Sequence, residues 1–153
     1  MSGLLQGKNI VIMGVANERS IAWGITKSLH NAGANLIFTN RQERSYNKLK
    51  KLLEENEIEP TLIVSCDVAS DESITNAFKE IKEKVTVVHG LIHSVAFANR
   101  DELKGEYADT SRDGFLLAQE ISAYSLVAVT KAVKELMTEG GSIVTQTYLG
   151  AER

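Results

Sequence analysis

Short apolar runs alternate with longer amphipathic stretches along the whole chain. The apolar runs predict five buried strands, at Asn9–Met13, Leu36–Thr39, Thr61–Cys66, Gly90–Ala96 and Ser142–Thr147. Continuous apolar strands separated by helices are typical of a parallel sheet that is covered on both faces. We therefore expect a three-layer α/β fold whose sheet has the strand order 3-2-1-4-5.

The amphipathic segments between the strands predict helices. The expected ranges are Ser20–Ala32, Glu43–Asn56, Asp71–Lys84 and a long helix from about Thr110 to Met137. Ser20 and Ser70 are suited to cap the first and third helices. The apolar faces are expected to be Ile21, Ile25 and Leu29 in the first helix, and Ile74, Ala77, Phe78 and Ile81 in the third.

The long helix carries apolar side chains on several sides, as helices buried on more than one face do. Thr110–Asp113 resembles a capping box in which Asp113 replaces the usual glutamate. Two interpretations stay open: the helix packs deeply within its own domain, or it forms a subunit interface. The apolar positions are Phe115, Leu116, Leu117, Ile121, Tyr124, Leu126, Val127, Val129, Val133 and Leu136.

Composition narrows the class of protein. The 153 residues suit one domain over positions 1–153, and a formal charge of -3 argues against a nucleic-acid or membrane-surface partner. No apolar run approaches the roughly 20 residues of a membrane span, and the first residues lack a signal-peptide pattern, which predicts a cytoplasmic protein. Cys66, as the only cysteine, excludes an internal disulfide. No metal site is expected, and His93 is interpreted as a packed, neutral histidine.

A glycine-containing turn, Gly14–Gly24, follows the first predicted strand. Open parallel sheets bind ligands at the carboxyl ends of their strands. Gly14 would leave room for a pyrophosphate, and Ser20 and Ile21 begin a helix whose free N–H groups attract phosphate. The loop is longer than the G-x-G-x-x-G fingerprint and shares only its first glycine, so spacing alone leaves both a dinucleotide site and an ordinary turn open.

The residues after the second strand bear on which nucleotide would bind. NAD-binding domains usually place an acidic residue at this strand tip, whereas Asn40, Arg41 and Arg44 lie here. Because arginine pairs well with phosphate, the sequence favours NADPH over NADH. The alternative is that both arginines begin a solvated helix, and Glu43 could pair with them.

Asp67 and Val68 follow the third strand. A carboxylate at this position can accept a hydrogen bond from an adenine amino group, while a valine covers the ring. The alternative is that Asp67 caps the next turn. A receiver-like signalling domain is disfavoured, because the first strand ends in Met13 and Gly14 without the acidic pair that such a domain needs.

Further motifs occur in order along the chain: His93–Ala98 after the fourth strand, Thr110–Ser125 in the long helix, and Thr147–Gly150 after the fifth strand. Together with Gly14-x5-Ser20-Ile21-Ala22, they resemble the enoyl-[acyl-carrier-protein] reductases, a branch of the short-chain dehydrogenases. Ordinary short-chain dehydrogenases carry Asn-Asn-Ala-Gly where this chain has Ser94–Phe97, which indicates the enoyl reductase branch. The chain is most similar to the enzymes of bacilli and staphylococci.

The resemblance implies a reaction, its substrate and its cofactor. These enzymes reduce the trans-2 double bond of an enoyl thioester carried on acyl carrier protein, in fatty-acid synthesis, with NADPH or alternatively NADH as the hydride source. A tyrosine hydroxyl holds the oxygen that becomes negatively charged. The resemblance also implies a Rossmann-type fold and a homotetramer.

Roles of single residues follow from the same resemblance and from the strand-end arguments. Tyr148 matches the first of the family's two active-site tyrosines, and Ala98 should contact the substrate through its backbone. The expected cofactor-binding residues are Gly14, Ser20, Ile21, Arg41, Gln42, Glu43, Arg44, Ser45, Asp67, Val68 and Val95.

The family's second active-site tyrosine, its lysine and its last two strands would lie beyond Arg153. We therefore expect a dinucleotide-binding domain that is incomplete at its C-terminal side relative to the family. Its fifth strand should have an exposed apolar edge, which invites pairing with another strand. Two functions stay open: a reductase of fatty-acid synthesis, or a nucleotide-binding fragment without catalysis.

Overall fold

A computed structural model describes residues 3–152, so that Met1, Ser2 and Arg153, the ends of the predicted domain, lie outside the described residues. Strands and helices alternate as expected. The strands are β1 Asn9–Met13, β2 Asn35–Asn40, β3 Leu62–Ser65, β4 Gly90–His93 and β5 Ser142–Thr145. The helices are α1 Ile21–Asn31, α2 Glu43–Glu55, α3 Asp71–Lys84, α4 Arg112–Gln119 and α5 Ser125–Val133.

The five strands form one parallel sheet in the order β3-β2-β1-β4-β5, which confirms the predicted topology. β4 and β5 are shorter than predicted: they end at His93 and Thr145 instead of Ala96 and Thr147. The reason is their register, since His93 pairs with both Met13, the last residue of β1, and Thr145. Beyond these pairs the chain leaves the sheet.

Each face of the sheet carries its own hydrophobic core. Along β1, Val11 and Met13 point to the side covered by α3 and α5, where they pack with Phe78. Ile10 and Ile12 point to the opposite side, which is covered by α1 and α2. Because both faces are covered, the central strands are apolar at almost every position.

The apolar face predicted for α3 agrees with the structure fully, whereas the one predicted for α1 agrees only in part. All four residues expected for α3 are buried, and Ser70 caps the helix by accepting a hydrogen bond from the Ser73 N–H at 3.2 Å. In α1 the prediction is right for Ile25 and Leu29, which are half-buried against the core, and wrong for Ile21, which is 67% exposed. The fully buried residues of this helix are Ala22, Trp23 and Thr26. Thr26 can be buried because its hydroxyl donates to the Ala22 carbonyl at 2.7 Å, which satisfies it within the helix.

The predicted long helix is interrupted. A π-helical turn, Glu120–Tyr124, separates α4 from α5, and a 3₁₀ turn ends the segment at Leu136. One side packs into the domain through Ile121, Val129, Val133 and Leu136. Phe115, Leu116, Tyr124 and Val127 remain exposed. Packing within the domain thus accounts for one face, and the subunit-interface interpretation stays a prediction for the other.

The cap of α4 differs from the predicted capping box. Ser111, not Thr110, is the N-cap, and its hydroxyl accepts a hydrogen bond from the Gly114 N–H at 3.0 Å. The carboxylate comes from Glu102 instead of Asp113: it accepts hydrogen bonds from the Ser111 hydroxyl and, at 2.9 Å, from the Ser111 N–H. These hydrogen bonds lower the pKa of Glu102. The cap therefore ties α4 to the loop before it.

This geometry predicts that Ser111→Ala lowers the free energy of unfolding by about 1 kcal/mol, the usual cost of removing an N-cap hydroxyl. Thr110→Ala is the matched control, because the Thr110 hydroxyl donates only to the Tyr107 carbonyl in an exposed turn. Urea unfolding followed by circular dichroism measures both variants. A larger cost for Thr110→Ala would contradict the observed cap.

Candidate nucleotide-binding cleft

A cleft of about 280 Å³ lies at the carboxyl ends of β1, β2, β3 and β4. This is the place where open parallel sheets bind their ligands. Its lining is mainly apolar, with a few polar groups. The lining residues are Met13, Gly14, Val15, Ala16, Thr39, Asn40, Arg41, Ser45, Cys66, Asp67, Val68, Ser94, Val95, Ala96, Phe97 and Ile121.

Gly14 directly follows β1 and lies against Ser94, which directly follows β4. Its φ is +99°, a conformation that favours glycine, and a Cβ at this position would lie 1.8 Å from the carbonyl oxygen of Ser94. Any side chain would push the two strand ends apart. The absence of a side chain at Gly14 is therefore a steric requirement of the cleft.

Ser20 acts on the glycine loop rather than on the helix. Its hydroxyl accepts hydrogen bonds from the N–H groups of Ala16 and Asn17, each at 3.3 Å, and donates to the Asn17 carbonyl. Ser20 is the N-cap residue of α1, as predicted, but its side chain makes no capping hydrogen bond to the helix. Among the described residues no side chain caps this helix, so its first N–H groups stay available to an anion.

Arg41 and Asp67 face each other across the β2–β3 end of the cleft. The Arg41 Nε lies 3.4 Å from Asp67 Oδ2, and the side chains are 53% and 37% exposed. The other carboxylate oxygen accepts a hydrogen bond from the Ala69 N–H at 3.0 Å. Asp67 therefore caps a turn, as the alternative interpretation held, and also lines the cleft. Arg41 pairs with Asp67 rather than with Glu43 among the described residues.

Only part of the predicted 41–45 segment lines the cleft. Arg41 and Ser45 do. The Ser45 hydroxyl donates to the Gln42 carbonyl at 2.6 Å and accepts from the Gln42 N–H at 3.1 Å, which closes the first turn of α2. Glu43 and Arg44 line a separate hollow on the outer surface of α2.

The β4 side of the cleft contains Val95 as predicted, in the loop Ser94–Ala98. Ala98 is half-buried just beyond the lining residues. Tyr148 follows β5 and is 87% exposed, and all four residues of β5 are exposed too. Within residues 3–152, the structure thus places the predicted catalytic tyrosine outside the wall of the cleft.

Ten of the sixteen cleft residues were not among the predicted site residues, and three of them, Cys66, Phe97 and Ile121, have side chains large enough to shape the wall. Cys66 directly precedes Asp67, and this position at a strand end was the available signal. Burial, and secondly the charge of Asp67, raise the pKa of the Cys66 thiol to about 11. Ile121 belongs to the π-helical turn, and nothing in the apolar pattern marks it as part of a site.

His93 is 2% exposed, which confirms the predicted packed histidine, and burial lowers its pKa, which favours the predicted neutral form. Among residues 3–152, no group of three potential ligand side chains could hold a metal ion. No helix in this part of the chain has the length and apolarity to cross a bilayer.

The sheet and its cleft define a Rossmann-type α/β fold with a cleft at the carboxyl edge, where such folds bind their ligands. A family model described as Enoyl-(Acyl carrier protein) reductase matches residues 14–153. The chain is 59% identical over 150 residues to the enoyl-[acyl-carrier-protein] reductase [NADH] FabI of Bacillus cereus, covering 98% of this chain and 59% of that protein. The chain belongs to the enoyl-[acyl-carrier-protein] reductase family.

A second relative has the other cofactor in its name: the chain is 51% identical over 148 residues to the [NADPH] FabI of Staphylococcus aureus, covering 97% of this chain and 58% of that protein. Among solved structures, the Bacillus cereus reductase with NADP+ and indole naphthyridinone matches with a TM-score of 0.94 at 59% identity, over 99% of this chain. This match confirms the predicted fold class. The chain spans 59% of the length of that structure.

The steric role of Gly14 predicts that Gly14→Ala destabilises the protein by about 3 kcal/mol or more, since it adds backbone strain and a clash with Ser94. Gly24→Ala is the control, because no described atom lies within 4 Å of the added Cβ. On helix propensity, that control should be neutral or stabilising by up to about 1 kcal/mol. Urea unfolding compares the two, and equal effects would refute the close approach.

The raised pKa of Cys66 predicts slow alkylation of the folded protein. At pH 8 the thiolate fraction should be lower than that of a free cysteine on the order of a hundredfold. Iodoacetamide labelling, followed by mass spectrometry, measures the rate with and without denaturant. The folded rate should keep rising between pH 9 and about 11, where the unfolded rate levels off. Equal rates in both states would contradict this.

Proposed function

We propose that this chain binds NAD(P)H across the carboxyl edge of its sheet, as the nucleotide-binding part of an enoyl-[acyl-carrier-protein] reductase. The observation that carries the proposal is the continuous cleft that runs from Arg41 and Asp67, past Gly14, to Val95. Membership of the reductase family supports it. Gly14 carries no side chain, because the Ser94 carbonyl occupies the place of a Cβ, and its bare backbone in the cleft lining fits the close approach of a pyrophosphate.

The residues of the cleft suggest how each part of the nucleotide would be held. Asp67 would accept a hydrogen bond from the adenine amino group, and Val68 would cover the ring. Gly14 and the first N–H groups of α1, including that of Ile21, would hold the pyrophosphate. Val95, on the β4 side, would contact the nicotinamide half. Ser20 would contribute by shaping the glycine loop.

For the reaction, a bound reduced nicotinamide supplies the hydride. The Tyr148 hydroxyl would donate a hydrogen bond to the thioester oxygen, which gains negative charge as the double bond is reduced. The backbone of Ala98 would position the enoyl thioester, which acyl carrier protein would present. Reduction of enoyl thioesters by the whole protein is thus the proposed activity.

A second candidate is nucleotide binding without catalysis. The 87% exposure of Tyr148, outside the wall of the cleft, favours this candidate. Both candidates share the nucleotide site and differ in whether hydride transfer follows binding.

We propose NADPH as the preferred cofactor and NADH as the alternative. Relatives named for either cofactor are similar to this chain, so similarity alone does not decide. Arg41 supports NADPH because it lies in the cleft at the tip of β2, where no acidic side chain follows the strand. Its exposed ion pair with Asp67 is worth less than about 1 kcal/mol, so a phosphate could displace it.

A homo-oligomer, a cytoplasmic location and the absence of nucleic-acid and membrane partners also remain proposals. The exposed apolar side chains of α4 and α5 support an oligomer, and the resemblance to the family suggests a tetramer. The four exposed residues of β5 support pairing of this edge with another strand.

If Arg41 binds the 2′-phosphate, Arg41→Ala should weaken NADPH binding by about tenfold and NADH binding by less than about twofold. Lys48→Ala is the control, since it removes a positive charge from the outer surface of α2. Isothermal titration calorimetry with both nucleotides gives the two ratios. Tighter binding of NADH than of NADPH by the unmodified protein would refute the NADPH proposal.

The proposed activity is tested with the natural gene product, NADPH and an enoyl thioester. Tyr148→Phe should lower kcat about a hundredfold, the effect of removing one donor to a developing oxyanion, while NADPH binding stays unchanged. Tyr107→Phe is the control, because Tyr107 is equally exposed, at 89%. Unchanged kinetics would refute the role of Tyr148, and NADPH binding without oxidation by the unmodified protein would favour the second candidate.

A further inference from the structure

His93 joins three elements at the edge of the cleft. It ends β4, and the residue after it, Ser94, belongs to the cleft lining. Its Nδ1 lies 3.0 Å from Thr145 Oγ1, at the end of β5. Its Nε2 lies 2.8 Å from Ser125 Oγ, at the start of α5. His93 and Ser125 are buried, so the hydrogen bond between them is shielded from competition by water, whereas Thr145 is exposed.

The Ser125 hydroxyl decides which ring nitrogen carries the proton. A serine hydroxyl has a single hydrogen, and Ser125 donates it to the Ile121 carbonyl at 2.6 Å. The Nε2 of His93 must therefore be the donor to Ser125 Oγ. In a neutral ring Nδ1 is then an acceptor, and the Thr145 hydroxyl donates to it. The burial that lowers the pKa of His93 favours this neutral form.

The hydrogen bonds from Thr145 through His93 and Ser125 end at the π-helical turn. The N–H of Ser125 reaches the Glu120 carbonyl, five residues back, while the Ser125 hydroxyl bonds to the carbonyl of Ile121, a cleft residue. In the same turn, the Ser122 hydroxyl accepts from the Phe97 N–H at 3.0 Å and donates to the Phe97 carbonyl at 3.1 Å. Two serines at one irregular turn therefore hold the loop after β4, one through His93 and one directly.

We propose that His93, as the neutral Nε2–H tautomer, is a positioning residue for the nicotinamide half of the cofactor site. It would act by fixing the ends of β4 and β5 against the π-helical turn, and so the loop that contains Val95. The inference rests on the proposed function, since it assumes that a dinucleotide lies across the cleft. Arg41 and Asp67, the adenosine side, lie at the ends of β2 and β3 on the other side of β1.

Because the two halves of the cofactor would bind at different parts of the cleft, a positioning role of His93 can be distinguished from a general effect on folding. A change at His93 should weaken ligands that reach the loop after β4 and spare ligands that stop at the adenosine side. A merely structural role would weaken both kinds of ligand alike, or would lower the melting temperature without changing either affinity.

The test uses the natural gene product, with NADPH as the whole ligand and adenosine 2′,5′-bisphosphate as its adenosine half. His93→Phe keeps a flat ring but removes both hydrogen bonds, whereas His93→Gln retains an N–H donor that can serve Ser125. Calorimetry should show NADPH affinity lowered about tenfold in His93→Phe and less in His93→Gln. The affinity for adenosine 2′,5′-bisphosphate should change by less than about twofold in both variants.

Nitrogen-15 NMR of the imidazole rings tests the tautomer in the unmodified protein. At pH 7 we expect a protonated Nε2 and an unprotonated Nδ1 for His93, assigned by the signals that disappear in His93→Gln. A proton on Nδ1, or on both nitrogens, would overturn the proposed hydrogen-bonded chain.

The remaining outcomes separate this inference from the nucleotide site itself. If His93→Phe does not fold, Ser125→Ala and Thr145→Val each remove one partner and should lower NADPH affinity selectively. Equal losses for both ligands, or no loss for NADPH, would overturn the inference while leaving the nucleotide site intact. Failure of the unmodified protein to bind either ligand would overturn the nucleotide site and the inference with it.

Discussion

The close approach of Gly14 to the Ser94 carbonyl is the constraint on which the rest of the site depends. β1 and β4 are neighbours in the sheet and end in the same register, at Met13 and His93. The loops that follow β1 and β4 begin side by side, at Gly14 and Ser94, and this contact is possible only because Gly14 has no side chain. From there the two loops diverge and open the cleft, with the glycine loop on one side and the loop after β4 on the other. The same register places His93 against the end of β5.

Most of the fold could be predicted from the sequence, because parallel strands that are buried on both faces appear as continuous apolar runs. The bounds of β1 and α3 and the order of the strands agree with the structure. The ends of β4 and β5 could not be predicted, since they depend on the register of these strands with β1, which the apolar pattern does not specify. The burial of Thr26 was missed because threonine counts as polar in the pattern of apolar residues. The sequence does not show that its hydroxyl donates a hydrogen bond within its own helix. The π-helical turn has no periodic signal.

The candidate site was predictable wherever it follows directly from a strand end. Gly14, Arg41, Asp67, Val68 and Val95 were all expected near one edge of the sheet, and the structure brings them into one cleft. What the sequence could not supply is the pairing between elements. The Arg41–Asp67 ion pair and the contribution of Ile121 both depend on the relative placement of separate segments.

We propose above all that a nicotinamide dinucleotide lies across the carboxyl ends of β1, β2, β3 and β4. Titration of NADPH into isotope-labelled protein, followed by amide chemical shifts, tests this placement. We expect saturable shifts at Gly14, Ile21, Asp67 and Val95, with the outer surface of α2 around Lys48 unaffected. Saturable shifts confined to another surface, or none at all, would contradict it.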